Sequence, residues 1–151
     1  MRCGIALGSN VGDRLAYLRA GRSKLAFFAD LTMISPVYHT EPVDCSGSWY
    51  LNAVVELETD IDPENLLQKL QQIEQEEGRP ASHGRNEPRT LDLDLLYADD
   101  LTLNTPTLTL PHPRMTQRRF VLQPLADIRP EFAELLARLP ETPVVKYFSA
   151  L

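Results

Sequence analysis

Cysteine is scarce in this chain. Cys3 and Cys45 are its two cysteines, and no C-x-x-C spacing joins them. That pattern excludes a zinc ribbon and a disulfide framework, so two free thiols in a reducing, cytoplasmic setting are expected. No apolar run approaches the roughly 20 residues needed to span a bilayer. The opening Met1-Arg2-Cys3-Gly4-Ile5-Ala6-Leu7 turns polar too soon for a signal peptide. Basic charge is also in short supply. Fifteen Lys and Arg stand against 21 Asp and Glu, a net charge of −6, which argues against nonspecific binding to nucleic acid or an anionic membrane. The chain lacks the G-x-x-x-x-G-K-[ST] loop of ordinary P-loop kinases. It also lacks internal repeats and a convincing linker, so residues 1–151 read as a single domain.

What is present centres on Pro88-Arg89-Thr90-Leu91-Asp92-Leu93-Asp94-Leu95-Leu96-Tyr97. Alternation over Leu91 to Leu95 reads as a β-strand, in which residues i and i+2 share a face. Leu91, Leu93 and Leu95 then face a core, and Asp92 and Asp94 project together from the opposite side. Their Cα atoms would lie roughly 6.5–7 Å apart. Two anions that close need a counter-charge, and Mg²⁺ bound through one or two carboxylates plus substrate phosphates supplies it. The plain alternative is a half-exposed strand with two solvated aspartates, although Asp is depleted in strands. A glycosidase pair fits less well, because its carboxylates flank a sugar bond from opposite sides. Arg79, Arg85, Arg89, Arg114, Arg118 and Arg119 fall on the two segments flanking this strand. Arginines gathered around an acidic pair point to an anion site, since the guanidinium fork matches phosphate.

Cys3 to Gly8 reads as a buried strand ending in a turn at Gly8-Ser9-Asn10. Asp13 can cap a helix carrying Leu15, Leu18, Leu25 and Phe28. Thr32 to Thr40 is expected to be a strand with Pro36 at an edge or bulge, and Tyr50 to Glu58 another, with Ala53, Val55 and Leu57 on one face. Asp62-Pro63 opens a second helix with Leu66, Leu67, Leu70 and Ile73 as its stripe, closed by Gly78. Short helices are expected after Pro113 and around Phe132 to Leu139, and the tail after Pro140 has no assignable role. The order is the βαββαβ pattern of a ferredoxin-like α+β sandwich, an antiparallel sheet flanked by helices. That fold hosts many functions.

Four segments together resemble one family, the 6-hydroxymethyl-7,8-dihydropterin pyrophosphokinases of folate biosynthesis. They are Ile5-Ala6-Leu7-Gly8-Ser9-Asn10, Tyr50-Leu51-Asn52-Ala53, Gly78-Arg79 with Pro88 to Asp94, and Leu110-Pro111-His112-Pro113 with Arg118 and Phe120. The likeness runs in register from about Ile5 to Pro130. It implies transfer of a pyrophosphoryl group from ATP to the hydroxymethyl oxygen of the reduced pterin, with release of AMP. By that resemblance Asp92 and Asp94 are ligands of Mg²⁺, two ions being expected with ATP. Arg79 and Arg89 are the arginines of a loop over the site, neutralising triphosphate charge. His112, Arg118 and Glu74 match positions near the nucleotide, where a turn histidine and a solvated helix charge are the plain alternatives for His112 and Glu74. Tyr50, Asn52 and Phe120 match the pterin pocket, and Thr40, Pro42 and Val43 would edge it. A monomer is implied, while Arg119 has no counterpart role and reads as a solvated cation.

The sequence also departs from the family's pattern. Asn86 stands where some members have tryptophan, Ala81 and Ser82 replace positions that are often basic, and Pro113 replaces an aromatic that touches nucleotide in some members. These touch the loop over the site and leave the metal ligands in place. Two other classes stay open: a non-catalytic nucleotide-binding module on the same fold, and a Mg²⁺-dependent phosphotransferase acting on another substrate. Polar loops over a site commonly gate it. A variant lacking part of Ala81 to Asn86 is therefore expected to bind pterin and turn over slowly; full turnover in that deletion would remove the lid from the mechanism.

Overall fold

In the computed structural model, which describes residues 1–40, 49–78, 90–148 and 151, strand β1 (Arg2–Ser9) is paired antiparallel on both edges. On one side lies β4 (Tyr50–Glu58) and on the other β5 (Asp92–Ala98), an edge strand. Along the far edge of β4 run β2 (Asp30–Ile34) and β3 (Val37–Thr40), and β8 (Val144–Phe148) adds outside β3. Helices α1 (Arg14–Leu25) and α2 (Pro63–Glu76) complete the βαββαβ order. A small hairpin of β6 (Leu103–Asn104) and β7 (Thr109–Leu110) follows β5, and α3 (Arg119–Ile128) and α4 (Ala133–Ala137) precede β8. This is the expected α+β sandwich with a further helical layer.

Period-two alternation sorts the side chains into two cores. Ile5, Leu7, Leu51, Ala53, Val55, Leu57, Leu93 and Leu95 face α1 and α2, where Leu18, Leu25, Leu66, Leu70 and Ile73 meet them. Val54 and Leu96 face the other way, onto Val121, Leu122, Leu125 and Ile128 of α3. Each fully buried Leu or Val contributes about 1.5–3 kcal/mol relative to exposure, so the two cores hold the sheet between them.

The helix starts are the expected ones. Asp13 Oδ1 accepts from the Ala16 N–H at 3.1 Å, and Asp62 Oδ1 accepts from the Asn65 N–H at 3.1 Å with Pro63 following. Such caps are each worth about 1 kcal/mol. Gly78, at φ +100°, takes the left-handed turn that ends α2.

Two expectations are corrected. The stretch from Thr32 to Thr40 is two strands rather than one, because Pro36 has no N–H for the ladder. Ser35 bridges the break, donating its N–H to the Val54 carbonyl at 2.9 Å while its hydroxyl accepts from the Val54 N–H at 2.8 Å. The tail after Pro140 does have a role, since Val144 and Val145 pair with Thr40 and His39 to extend the sheet.

On the α3 face, at the end remote from Asp92, Glu56 is 2% exposed. It accepts from Arg129 Nε and Nη2 at 2.6 and 2.7 Å and from the Tyr97 hydroxyl at 2.6 Å, with Arg2 Nε at 3.5 Å. Burial alone would push its pKa up, but the bonds from Arg129 and Tyr97 outweigh this and hold it below the ordinary 4.5. A carboxyl lowered in the folded state contributes stability that is complete above its unfolded value and lost as pH falls through the folded one. Unfolding free energy should therefore drop as pH falls below about 4.5. Glu56→Gln should be about 3 kcal/mol less stable at neutral pH and flatter across that acid window. Urea titrations at several pH values check this, and an equally steep acid loss in the variant would locate the sensitivity elsewhere.

Candidate active site

The register of the sheet builds the site. Tyr38 lies opposite Asn52, Asn52 opposite Gly8, and Gly8 opposite Asp92. Directly opposed residues in antiparallel strands share a face, so these four form one row across β3, β4, β1 and β5. Asp94, opposite Ala6, and Tyr50, opposite Thr40, stand on the same face in the adjoining rows. Asn52 and Asp92 are two strands apart, about 9.5 Å at the usual spacing. Between them is Gly8. A Cβ there would meet Asn52 Oδ1 at 3.1 Å and the Tyr50 ring at 3.6 Å, so glycine keeps the floor between the acidic pair and the Asn–Tyr pair open. The sequence pattern places Gly8 at the end of a buried strand, where a turn begins, and gives it no part in the site. It lies within β1, and the signal available was a glycine inside an otherwise apolar strand.

Asn52, 7% exposed, donates from Nδ2 to Thr40 Oγ1 at 2.6 Å. That bond fixes the amide orientation and turns Oδ1 towards Gly8. Above this floor stands the start of α3, with the Arg118 guanidinium 5.5 Å from the centre of the half-buried Phe120 ring. His112 is tied to β5 by its N–H, which donates to the Leu96 carbonyl at 2.7 Å. Its Nδ1 accepts from the Arg114 N–H at 3.2 Å, which leaves Nε2 as the ring donor. Burial first, then Arg118 and Arg114, lower the His112 pKa against the opposing pull of Asp92. The ring is therefore neutral at pH 7 and sits within the electrostatic reach of both the acidic strand and Arg118.

Glu74 is not the solvated helix charge that its position on α2 allowed. It is 7% exposed, and Oε2 accepts from the Leu93 N–H at 2.8 Å. Because β5 is an edge strand, that N–H has no neighbouring strand to bond. Glu74 thus secures the backbone between the two aspartates. Thr40, Tyr50, Asn52, Phe120, Arg118, His112, Asp92 and Asp94 converge on one end of one sheet face, while Glu74 acts from behind. Arg79, Arg89, Pro42 and Val43 lie outside the described residues, as do Ala81, Ser82 and Asn86.

Asp92 and Asp94 are half-buried, share a face, and offer hard oxygen donors, which fit Mg²⁺. Among the described residues no group of three or more His, Cys, Asp or Glu side chains converges. A soft-metal or fully protein-built cage is therefore not formed by them, and phosphate and water oxygens would complete the shell, as Mg²⁺ usually requires.

The sequence model of the family described as 7,8-dihydro-6-hydroxymethylpterin-pyrophosphokinase (HPPK) matches residues 4–130. The chain belongs to that family. It is 46% identical over 127 residues to 2-amino-4-hydroxy-6-hydroxymethyldihydropteridine pyrophosphokinase of Bacillus subtilis, covering 82% of this chain and 75% of the relative. With the Aquifex aeolicus protein of the same name it shares 35% identity over 138 residues, 90% of this chain and 85% of that one. Among solved structures, Plasmodium falciparum HPPK-DHPS with pteroate superposes with a TM-score of 0.71 at 16% identity, over 91% of this chain and 42% of that chain. At that identity the likeness is one of fold.

Removing the Glu74 carboxylate leaves the Leu93 N–H, on an edge strand under a helix, without its acceptor. Glu74→Ala is expected to cost about 1–3 kcal/mol, measured by urea unfolding. Unchanged stability would mean that water replaces the carboxylate and that Glu74 acts only towards a ligand.

Proposed function

We propose that this chain catalyses the Mg²⁺-dependent transfer of pyrophosphate from ATP to 6-hydroxymethyl-7,8-dihydropterin, releasing AMP, as a step of folate biosynthesis. The observation that carries the reading is the single row from Asn52 through the cleared Gly8 to Asp92, with Asp94 beside it and Phe120 and Arg118 above. Family membership supports the same reaction.

In this reading the pterin lies between Tyr50 and Phe120, whose rings offer stacking faces to a flat heterocycle. Asn52, held by Thr40, presents a fixed amide to its donors and acceptors, and Pro42 and Val43 complete the pocket edge. The triphosphate lies towards β5. Arg118 and the neutral His112 hold the nucleotide, with Glu74 fixing the strand beneath it. Arg79 and Arg89 supply positive charge over the phosphates and are the catalytic arginines. Mg²⁺, as two ions held by Asp92 and Asp94 with phosphate oxygens, would polarise the phosphates and lower the pKa of the attacking hydroxyl. The pterin hydroxymethyl oxygen attacks the β-phosphorus and its proton passes to water. The bond between the β-phosphorus and the α,β-bridging oxygen breaks, and its electron pair leaves on AMP. What the protein contributes is alignment of these two groups and exclusion of competing water.

Residues 1–151 act as one domain, a monomer, in the cytoplasm, without nucleic acid or membrane partners. No helix among the described residues is long and apolar enough to cross a membrane.

The test is AMP release from ATP and Mg²⁺ with and without the pterin, for the unaltered chain and Asp94→Ala. Pterin-dependent AMP should form, and kcat/KM should fall about a hundredfold or more in the variant. ADP in place of AMP would mean phosphoryl transfer. ATP binding with no pterin-dependent product would favour a nucleotide-binding module.

A further inference from the structure

Arg119 does not occupy the solvated position that its sequence context indicates. Its guanidinium donates from Nη2 to the carbonyls of Leu136 and Leu139, at 3.2 and 3.0 Å, and from Nε to that of Pro140 at 3.1 Å. These carbonyls lie at and just beyond the end of α4, where the regular helical ladder stops; that of Leu136 also accepts from the Leu139 N–H at 3.1 Å. A cation there also complements the helix dipole, whereas at the first residue of α3 the same cation is disfavoured. The side chain thus bridges the start of one helix to the end of the next.

Four residues after Pro140, Val144 enters β8 opposite Thr40. The intervening segment is fastened at both ends, by Arg119 and by the β3–β8 ladder, and Pro140 and Pro143 restrict its backbone. With Leu139 and Arg119 itself it lines one side of a cavity of about 320 Å³ whose other walls include Thr40, Arg118 and Phe120.

We infer that Arg119 is a positioning residue for pterin recognition, holding the 140–144 segment as a fixed wall beside Phe120 and Thr40. It acts through that wall and touches no reacting atom. The inference rests on the pyrophosphokinase reading and adds to that site Arg119 and, beyond the stretch matched to the family, the 140–144 segment.

The test is steady-state AMP release by Arg119→Met and Arg119→Lys, varying pterin and Mg·ATP separately, with amide hydrogen exchange over Glu141 to Lys146. For Arg119→Met the KM for pterin should rise about fivefold to tenfold, while kcat and the KM for Mg·ATP stay within about twofold. Exchange over the segment should quicken, and Arg119→Lys, which keeps a donor, should recover part of both effects. A lowered melting point with pterin KM and exchange unchanged would overturn the inference and leave Arg119 a stability residue. Equal losses for pterin and ATP would also overturn it, since the effect would then run through Arg118. Should Arg119→Met fail to fold, the lysine variant carries the same comparison. Absence of pterin-dependent AMP from the unaltered chain would defeat the activity reading instead. Equilibrium pterin binding would then decide the clamp, and equal affinities for the unaltered chain and the variant would overturn it.

Discussion

Strand β1 is paired on both edges, through Gly8 to Asn52 on one side and to Asp92 on the other. The candidate site depends on that register. Side chains alternate with period two, so a slip of β5 by one residue would turn Asp92 and Asp94 into the core around Ile5 and Leu7 and bring Leu93 and Leu95 to the open face. Burying two carboxylates among leucines is prohibitive, so the same alternation that packs α1 and α2 also fixes which way the acids point. Glu74 adds to this from the edge. By holding the Leu93 N–H it gives the outer side of β5 one of the bonds that a neighbouring strand would have made.

Carboxylates on the α3 face of the sheet serve opposite purposes at its two ends. Glu56 is enclosed and neutralised by resident groups, Arg129 and Tyr97 with Arg2 nearby. Its charge is consumed within the fold, and a buried pair of this kind fixes geometry more than it adds net stability. Asp92 and Asp94 sit half-buried at the open end, where neutral His112 adds no counter-charge of its own. In the pyrophosphokinase reading, a divalent ion shared with phosphate oxygens would add positive charge there.

Much of this was legible in residue patterns because the relevant forces are local. Alternation in Leu91 to Leu95 and in Tyr50 to Glu58 predicted strands and faces, and Asp13 and Asp62 predicted helix starts, since a cap is a contact over three residues. The break at Ser35-Pro36 was only half legible: proline signals a missing donor, but the Ser35 hydroxyl bonding Val54 belongs to a neighbouring strand. Glu74, the role of Gly8 and the strand at Val144 were hidden for a stronger version of that reason. Each is defined by a partner far along the chain, Leu93, Asn52 and Thr40 respectively. Nothing in the composition or periodicity named a pterin; the resemblance of four segments did, and the family match over residues 4–130 agrees with it.

The arginines show why counting charge near a motif overstates a site. Six of them flank the acidic strand in sequence, yet among the described ones the tasks divide once the chain folds. Arg119 spends its donors on three carbonyls at the end of α4. Further from the strand, Arg14 donates to the Trp49 carbonyl at 2.6 Å, and Arg22 to the Leu151 carbonyl at 2.7 Å. Arg118 remains over Phe120, with its charge felt at His112. A guanidinium has five N–H donors in a rigid fork. It can therefore tie loop carbonyls as readily as it can hold a phosphate, and spacing along the chain does not distinguish the two uses. What distinguishes them is whether the fork meets backbone oxygens just beyond a helix end, as at Leu139 and Pro140, or faces the end of the sheet where Asp92 and Asp94 project.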